Sequence, residues 1–215
     1  MDFNAILGTI AIYAIPVVFA ITLHEAGHAY AARYFGDKTA WMLGRTSLNP
    51  VRHIDPIGTV VVPAITAFTG FLFGWAKPVP VNFENLRDPR RDMLWVAAAG
   101  PGANVLMALG WVAVAKVLLV VDASGEVSDY WLKVAVAGIR VNVGLAVLNL
   151  FPLLPLDGGR ILASLLPRQL ALPYSRLEPW GMLILVVLIV SGALWWVIGP
   201  VMNAMLRNLF ALLGF

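Results

Sequence analysis

The chain has 215 residues, of which 60% are hydrophobic and only 13% charged, with a mean hydropathy of +0.82. A soluble domain carries about a quarter charged residues, so this composition excludes an ordinary water-exposed fold and points to a polytopic membrane protein. The net charge of +3 fits an excess of cytoplasmic Lys and Arg, no basic patch interleaved with aromatics argues for nucleic acid, and the absence of cysteine excludes disulfides and thiolate metal sites.

Residues 5–35 form the first apolar run, broken only by HEAGH at 24–28 and by Arg33. No cleavable signal peptide is expected, because MDFNAILGTI lacks a basic leader. As a helix the run would be about 46 Å long, more than the ~30 Å hydrocarbon core, so its C-terminal end should emerge. Pro16 is a candidate kink and Gly36-Asp37 the stop. Residues 37–55 read as short strands or an irregular loop. Residues 57–76 are apolar but carry Gly58, Pro63, Gly70 and Gly74, and 77–92 are polar, beginning KPVPVN. Spans are expected at 93–121, 132–150 and 180–199, the last closed by Gly199-Pro200, with a short helix to Leu166 after the 132–150 span. These spans carry almost no ionisable side chains. Residues 201–213 are too short for a confident crossing. The fold class is therefore all-α. We expect a bundle of about four to six transmembrane helices, with a re-entrant or short β segment between the first helix and the 93–121 span. Residues 1–215 read as one domain, with a catalytic core over about 5–167 and C-terminal helices at 177–213.

Charge orients the bundle. Arg33, Lys38, Arg45 and Arg52 follow the first helix; Lys77, Arg87, Arg90 and Arg91 precede the 93–121 span; Arg160, Arg168 and Arg176 follow the 132–150 span. The 122–130 loop has three acids and no base. The positive-inside rule places the basic regions in the cytoplasm and this loop and the N-terminus outside. Residues 57–76 should then dip into the membrane and return, as Pro and Gly permit. The alternative is an ordinary span that ignores the charge rule.

HEAGH carries the chemistry. His24 and His28, four apart, share a helix face and can grip one zinc ion. Glu25 can serve as general base toward a zinc-activated water. Ionisable residues inside an apolar helix are expensive and functional by default; the competing reading is a helix end solvated among headgroups. A catalytic zinc needs a third protein ligand. Position 34 is Tyr34 where an extended HExxH motif would need His. His53 suits a turn or an interface. Asp37, Asp55, Glu84, Asp88 and Asp92 sit in polar loops where solvation is the default. Asp157 follows a span directly, precedes Gly158-Gly159, and lies by charge on the same membrane face as the end of the HEAGH helix. It is the expected third ligand, with a helix N-cap as the alternative. Gly100 and Asn104 share a helical face suited to close packing, with Asn104 hydrogen-bonding across it. KPVPVN reads as either an exposed strand edge for an unwound substrate or a plain loop, and Trp195-Trp196 as interfacial anchors.

HEAGH in an apolar helix, GPGAN at 100–104 and NLFPLLPLDG at 149–158 together resemble the site-2 protease family of intramembrane zinc metalloproteases. GRTSLNPVRHIDPIGT and GWAKPVPVN resemble its compact bacterial-type branch. The resemblance covers about Ile21 to Leu166. It implies zinc held by His24, His28 and Asp157, Glu25 as base, and Asn149 near the substrate or oxyanion. It also implies a transmembrane protein as substrate, and a multi-pass place in the cell membrane with the site toward the cytoplasm. The family commonly has Pro two residues after its first motif Pro; here Leu154 is there and Pro155 follows. No PDZ or nucleotide-sensing domain is expected. Two other classes remain open on the residues: a zinc peptidase acting on soluble peptides at the membrane surface, and a metal transporter.

Overall fold

The computed structural model describes residues 3–52, 55–61, 77–121 and 126–214. Among these, the elements are helical and none is a strand. The first, α1 (Phe3–Tyr34), runs unbroken through Pro16, which is fully buried. It stops in a Schellman motif: Asp37 N–H bonds to Ala32 O at 2.9 Å and Gly36 N–H to Arg33 O at 3.2 Å. Gly36 has φ +116°, a value that requires glycine, and a Cβ there would come within 3.0 Å of Asn85 O.

The 37–55 stretch forms helical turns, α2 (Thr39–Met42) and a 3-10 turn at Pro50–Arg52, rather than strands. Asp37 organises it. Far from being solvated, Asp37 is fully buried. Its carboxylate accepts from Thr39 N and Oγ1, from Asn82 N at 2.8 Å and from Asn85 Nδ2. Burial alone would raise the Asp37 pKa, but these donors from Thr39, Asn82 and Asn85 outweigh it and hold the carboxyl below its ordinary value. A π turn follows at Pro56–Val61; the expected re-entry of 57–76 otherwise lies outside the described residues, as does His53.

The next long helix, α3 (Pro89–Val121), starts with Pro89 at its first position. Asp88 Oδ1 accepts Arg91 N–H and Asp92 Oδ2 accepts Asp88 N–H, a reciprocal cap that explains why Asp92 is buried rather than solvated. Then come α4 (Glu126–Asn149), α5 (Asp157–Leu165), α6 (Arg168–Ser175), α7 (Glu178–Val190) and α8 (Ala193–Ala211). Among the described residues, three helices are long and apolar enough to cross a membrane, at Leu7–Tyr34, Pro89–Val121 and Asp129–Asn149. A fourth is added if α6 and α7, bent by 67°, count as one span, which is the lower end of the expected number. The C-terminal break falls at Ser191-Gly192, not at Gly199-Pro200. Gly192 supplies the left-handed residue (φ +76°), and α8 runs on through Pro200.

Small residues set how closely the spans approach. Ala20, Ala26, Ala29 and Ala32 of α1 are buried, and a Cβ on Gly27 would sit 2.8 Å from Ala99 O of α3. The largest apolar cluster joins α3, α4, α7 and α8 through residues such as Val112, Ile139, Leu185 and Leu194. At one end of the bundle, Arg87 N–H bonds to Phe35 O, its guanidinium to Tyr34 O, and Arg90 to Ser164 O and Leu166 O. Cationic side chains thereby cap the C-terminal ends of α1 and α5. The contact of Arg87 with Phe35 also brings both flanks of the 36–86 segment to the same end of the bundle, as the charge pattern requires.

A candidate metal centre between three helices

The HEAGH turn lies in α1 with its histidines facing α3 and the start of α5. His24 Nε2 and His28 Nε2 are 3.1 Å apart. Asp157 Oδ2 is 3.3 Å from His24 Nε2, and Asp157 Oδ1 is 3.4 Å from His28 Nε2. Ligand atoms about 2.0–2.1 Å from a tetrahedral zinc stand about 3.3–3.4 Å from one another. The two imidazole nitrogens stand near that spacing, each has a different oxygen of the Asp157 carboxylate at that spacing, and one ligand atom from each of the three residues lies within 4.8 Å of the others. They are the group of metal-ligating side chains that comes together among the described residues.

Protons decide whether this is a metal site or a hydrogen-bonded cluster. Val96 O can only accept, so His28 must place its proton on Nδ1, 2.7 Å away. For His24 the assignment travels further. Gly138 O can only accept, so Asn142 turns its Nδ2 to it and its Oδ1 toward Asn104. Asn104 Nδ2 donates to that Oδ1 at 2.9 Å and to Ala20 O at 3.2 Å. Asn104 Oδ1 is then left to accept the Nδ1 proton of His24 at 2.6 Å. In their neutral forms both imidazoles then aim an Nε2 lone pair inward, where a carboxylate already stands. That oxygen, Asp157 Oδ2, is buried with no hydrogen-bond partner. Converging lone pairs without a proton between them are matched by a cation, and two imidazoles with one carboxylate suit zinc.

Glycines create the space. A Cβ on Gly100 of α3 would overlap the rings of His24 and His28, so the GPGAN glycine is what lets α3 lie against the ligand pair. Cβ atoms on Gly158 and Gly159 would overlap the backbone of Leu150 and Leu153-Leu154. The start of α5 is tucked beneath that loop, which carries Asp157 to the histidines. Asp157 opens α5, yet its side chain does not cap the helix; it faces the imidazoles.

Glu25 is half-buried, and its Oε2 accepts the Val79 N–H at 2.7 Å. Residues 77–82 are irregular, not a strand. Pro78 and Pro80 have no N–H, and those of Val79 and Asn82 are taken by Glu25 and Asp37. A substrate strand laid along KPVPVN would find chiefly carbonyls. Asn149 is not tied to the triad by the described hydrogen bonds; its Nδ2 donates to Leu145 O of its own helix. Asn142 was not singled out in the sequence, although a lone Asn in an apolar span is itself a signal of a polar partner.

The family model described as peptidase family M50 matches residues 112–192, which include Asp157 but not the HEAGH helix. The chain is 34% identical over 199 residues to YwhC of Bacillus subtilis, named as a zinc metalloprotease, across 88% of this chain and 85% of that one. It is 31% identical over 179 residues to Rip2 of Mycolicibacterium smegmatis, also named as a zinc metalloprotease, across 82% of this chain and 66% of Rip2. The Rip2 protein of Mycobacterium tuberculosis is 28% identical over 175 residues, across 81% and 65%. No solved structure matches the chain.

Proposed function

This chain belongs to peptidase family M50, the site-2 protease family, and on that premise we propose that it hydrolyses a peptide bond in or beside a transmembrane segment of another protein, with Glu25 as general base. It is a zinc metalloendopeptidase with the apolar helices of an integral membrane protein. The observation that carries the proposal is the convergence of His24, His28 and Asp157 between apolar helices, with Glu25 on the same turn of α1.

Zinc held by these three side chains supplies Lewis acidity and makes water a nucleophile at neutral pH. The protein does the rest. Val96 and Asn104 hold the imidazoles with Nε2 inward. Val79 N–H fixes one carboxylate oxygen of Glu25, leaving Oε1 to take the proton from water and pass it to the leaving amine. The helices around the histidines exclude bulk water, which strengthens each of these interactions. A helical substrate hides its carbonyls in hydrogen bonds, so it must unwind locally before attack. The basic residues Arg87, Arg90 and Arg160 at the metal-centre end favour a cytoplasmic position for that end, and for the site, in the cell membrane.

The test is to reconstitute the zinc-loaded protein in vesicles with a panel of single-span substrates and soluble peptides of the same sequences. Cleavage of the membrane-spanning set is expected. Cleavage confined to soluble peptides would replace the proposal with a membrane-surface peptidase.

A further inference from the structure

The span Asp129–Asn149 holds a cation at its centre. Arg140 is the middle of that span to within one residue, and its side chain is exposed. It has no hydrogen-bond or ion-pair partner among the described residues. An arginine at the centre of a bilayer is costly and is ordinarily paired or set in a wet cavity. Arg140 is two residues from Asn142, about 200° round the helix. Asn142 faces Asn104 and the metal centre, so Arg140 lies on the opposite flank of α4.

The membrane-spanning stretches of this chain hold no free carboxylate to pair with it. Asp129 is held by Lys133 at 2.6 Å. No Asp or Glu occurs in α3 after Asp92, in α4 after Asp129, in α7 after Glu178, in α8, or in residues 62–76. In α1 the carboxylate is Glu25, engaged by Val79. A second copy brings the same inventory and no counter-charge. Nor are headgroups at hand. The nearer end of α4, at Asn149, is nine residues away, about 13 Å along the axis, roughly twice the reach of an arginine side chain. Side chains also lean toward the N-terminus of their helix, here away from that end. Val136 and Gly144 lie one turn to either side of Arg140 on the same face, and neither is buried. A Cβ on Gly144 would have Met202 Sδ, at 4.0 Å, as its nearest neighbour. Met202 belongs to α8, so the chain's own last helix borders this face at Gly144, while Arg140 itself stays exposed.

We propose that the Arg140 face of α4 is a docking surface for a membrane-spanning helix of another protein that carries an Asp or Glu near its centre. Lying away from the metal centre, it holds a partner that stays helical, and its occupancy does not depend on which peptide is cut.

The test uses purified full-length protein in phosphatidylcholine vesicles with fluorescent single-span Leu/Ala peptides bearing Glu, Gln or Lys at the centre, or Glu near one end. Energy transfer reports association. The central-Glu peptide should bind about tenfold more tightly than the Gln peptide. Arg140→Gln should abolish that preference, and Arg140→Glu should transfer it to the Lys peptide. Equal binding of the Glu and Gln peptides to the unaltered protein would overturn the proposal. Equal binding of central and terminal Glu would overturn it as well, by showing attraction without a site. These peptide comparisons decide the matter even if an Arg140 variant fails to fold.

Discussion

Glu25 and Val79 are 54 residues apart in sequence, yet Oε2 of the first accepts the backbone N–H of the second at 2.7 Å. The bond joins the HEAGH turn to the stretch before α3 and selects which carboxylate oxygen is free. Val79→Pro deletes the donor and keeps an extended backbone between Pro78 and Pro80. A hydrogen bond to a charged group is worth about 1.5–3 kcal/mol. Cleavage should fall about 10- to 100-fold with zinc content unchanged. Equal loss of zinc would show that the contact supports the fold rather than the base.

Glu25→Gln keeps an oxygen for Val79 N–H and removes the basic carboxylate. General-base catalysis contributes about 10²–10⁴-fold, so activity should drop by that factor while metal analysis still finds one zinc per chain. Normal cleavage by this variant would remove Glu25 from the mechanism.

Asn104→Leu should weaken zinc binding about 10- to 100-fold, the usual effect of removing a partner that orients a ligand. Asn142→Leu should act in the same direction through Asn104. Asn104→Asp keeps an acceptor for His24 Nδ1 but turns an oxygen toward Ala20 O and Asn142 Oδ1 in place of the amide donor, so it should recover only part of the affinity. Competition against a chromophoric chelator measures all three, and unchanged affinity in Asn104→Leu would refute the orienting role.

Gly100→Ala places a methyl group where the two imidazoles lie. Either the rings turn away or α3 moves off α1. Zinc stoichiometry should fall well below one, and thermal stability should drop by about 1–3 kcal/mol, the usual cost of overpacking. Gly102→Ala, with open space at its Cβ, is the control and should leave both unchanged.

Asp37 gives a pH dependence whose sign is fixed. Its pKa is lowered in the folded protein, so the unfolded chain binds its proton first as pH falls. The stabilisation is complete well above the ordinary value near 4, and it is lost as pH falls through the lower folded value. Melting of the parent and of Asp37→Asn in detergent should differ by a constant amount above about pH 5. The difference should shrink on acidification below about 4. A gap that widened there would contradict the assignment.

The sequence made HEAGH legible because two histidines and a glutamate at helical spacing stand out against apolar neighbours. Asp157 could be reached from charge topology and from the resemblance alike. What the sequence hid are contacts between distant segments. Asp37 looked like a loop carboxylate, because nothing local shows that Asn82 and Asn85 return to it. Gly100 and Asn104 were recognisable as a packing face, but their target, the imidazoles, emerges only when α3 is laid on α1. Asn142 and Arg140 sit in one span and carry opposite meanings: the first is spent on a neighbour, the second has none among the described residues. Composition treats both as isolated polar residues.

The division of the proposed ligands between α1 and α5 has a consequence for biosynthesis. The two histidines enter the membrane with the first helix, whereas the aspartate is made only after α3 and α4. Two imidazoles alone do not complete a catalytic zinc site. With that ligand set the nascent chain would carry its hydrolytic apparatus disarmed through most of its synthesis, and arming would coincide with the docking of α5 beneath the Leu150–Leu154 loop. On the proposed ligand set and substrate class, this order of synthesis would keep the protease from cutting neighbouring membrane proteins until its own topology is finished.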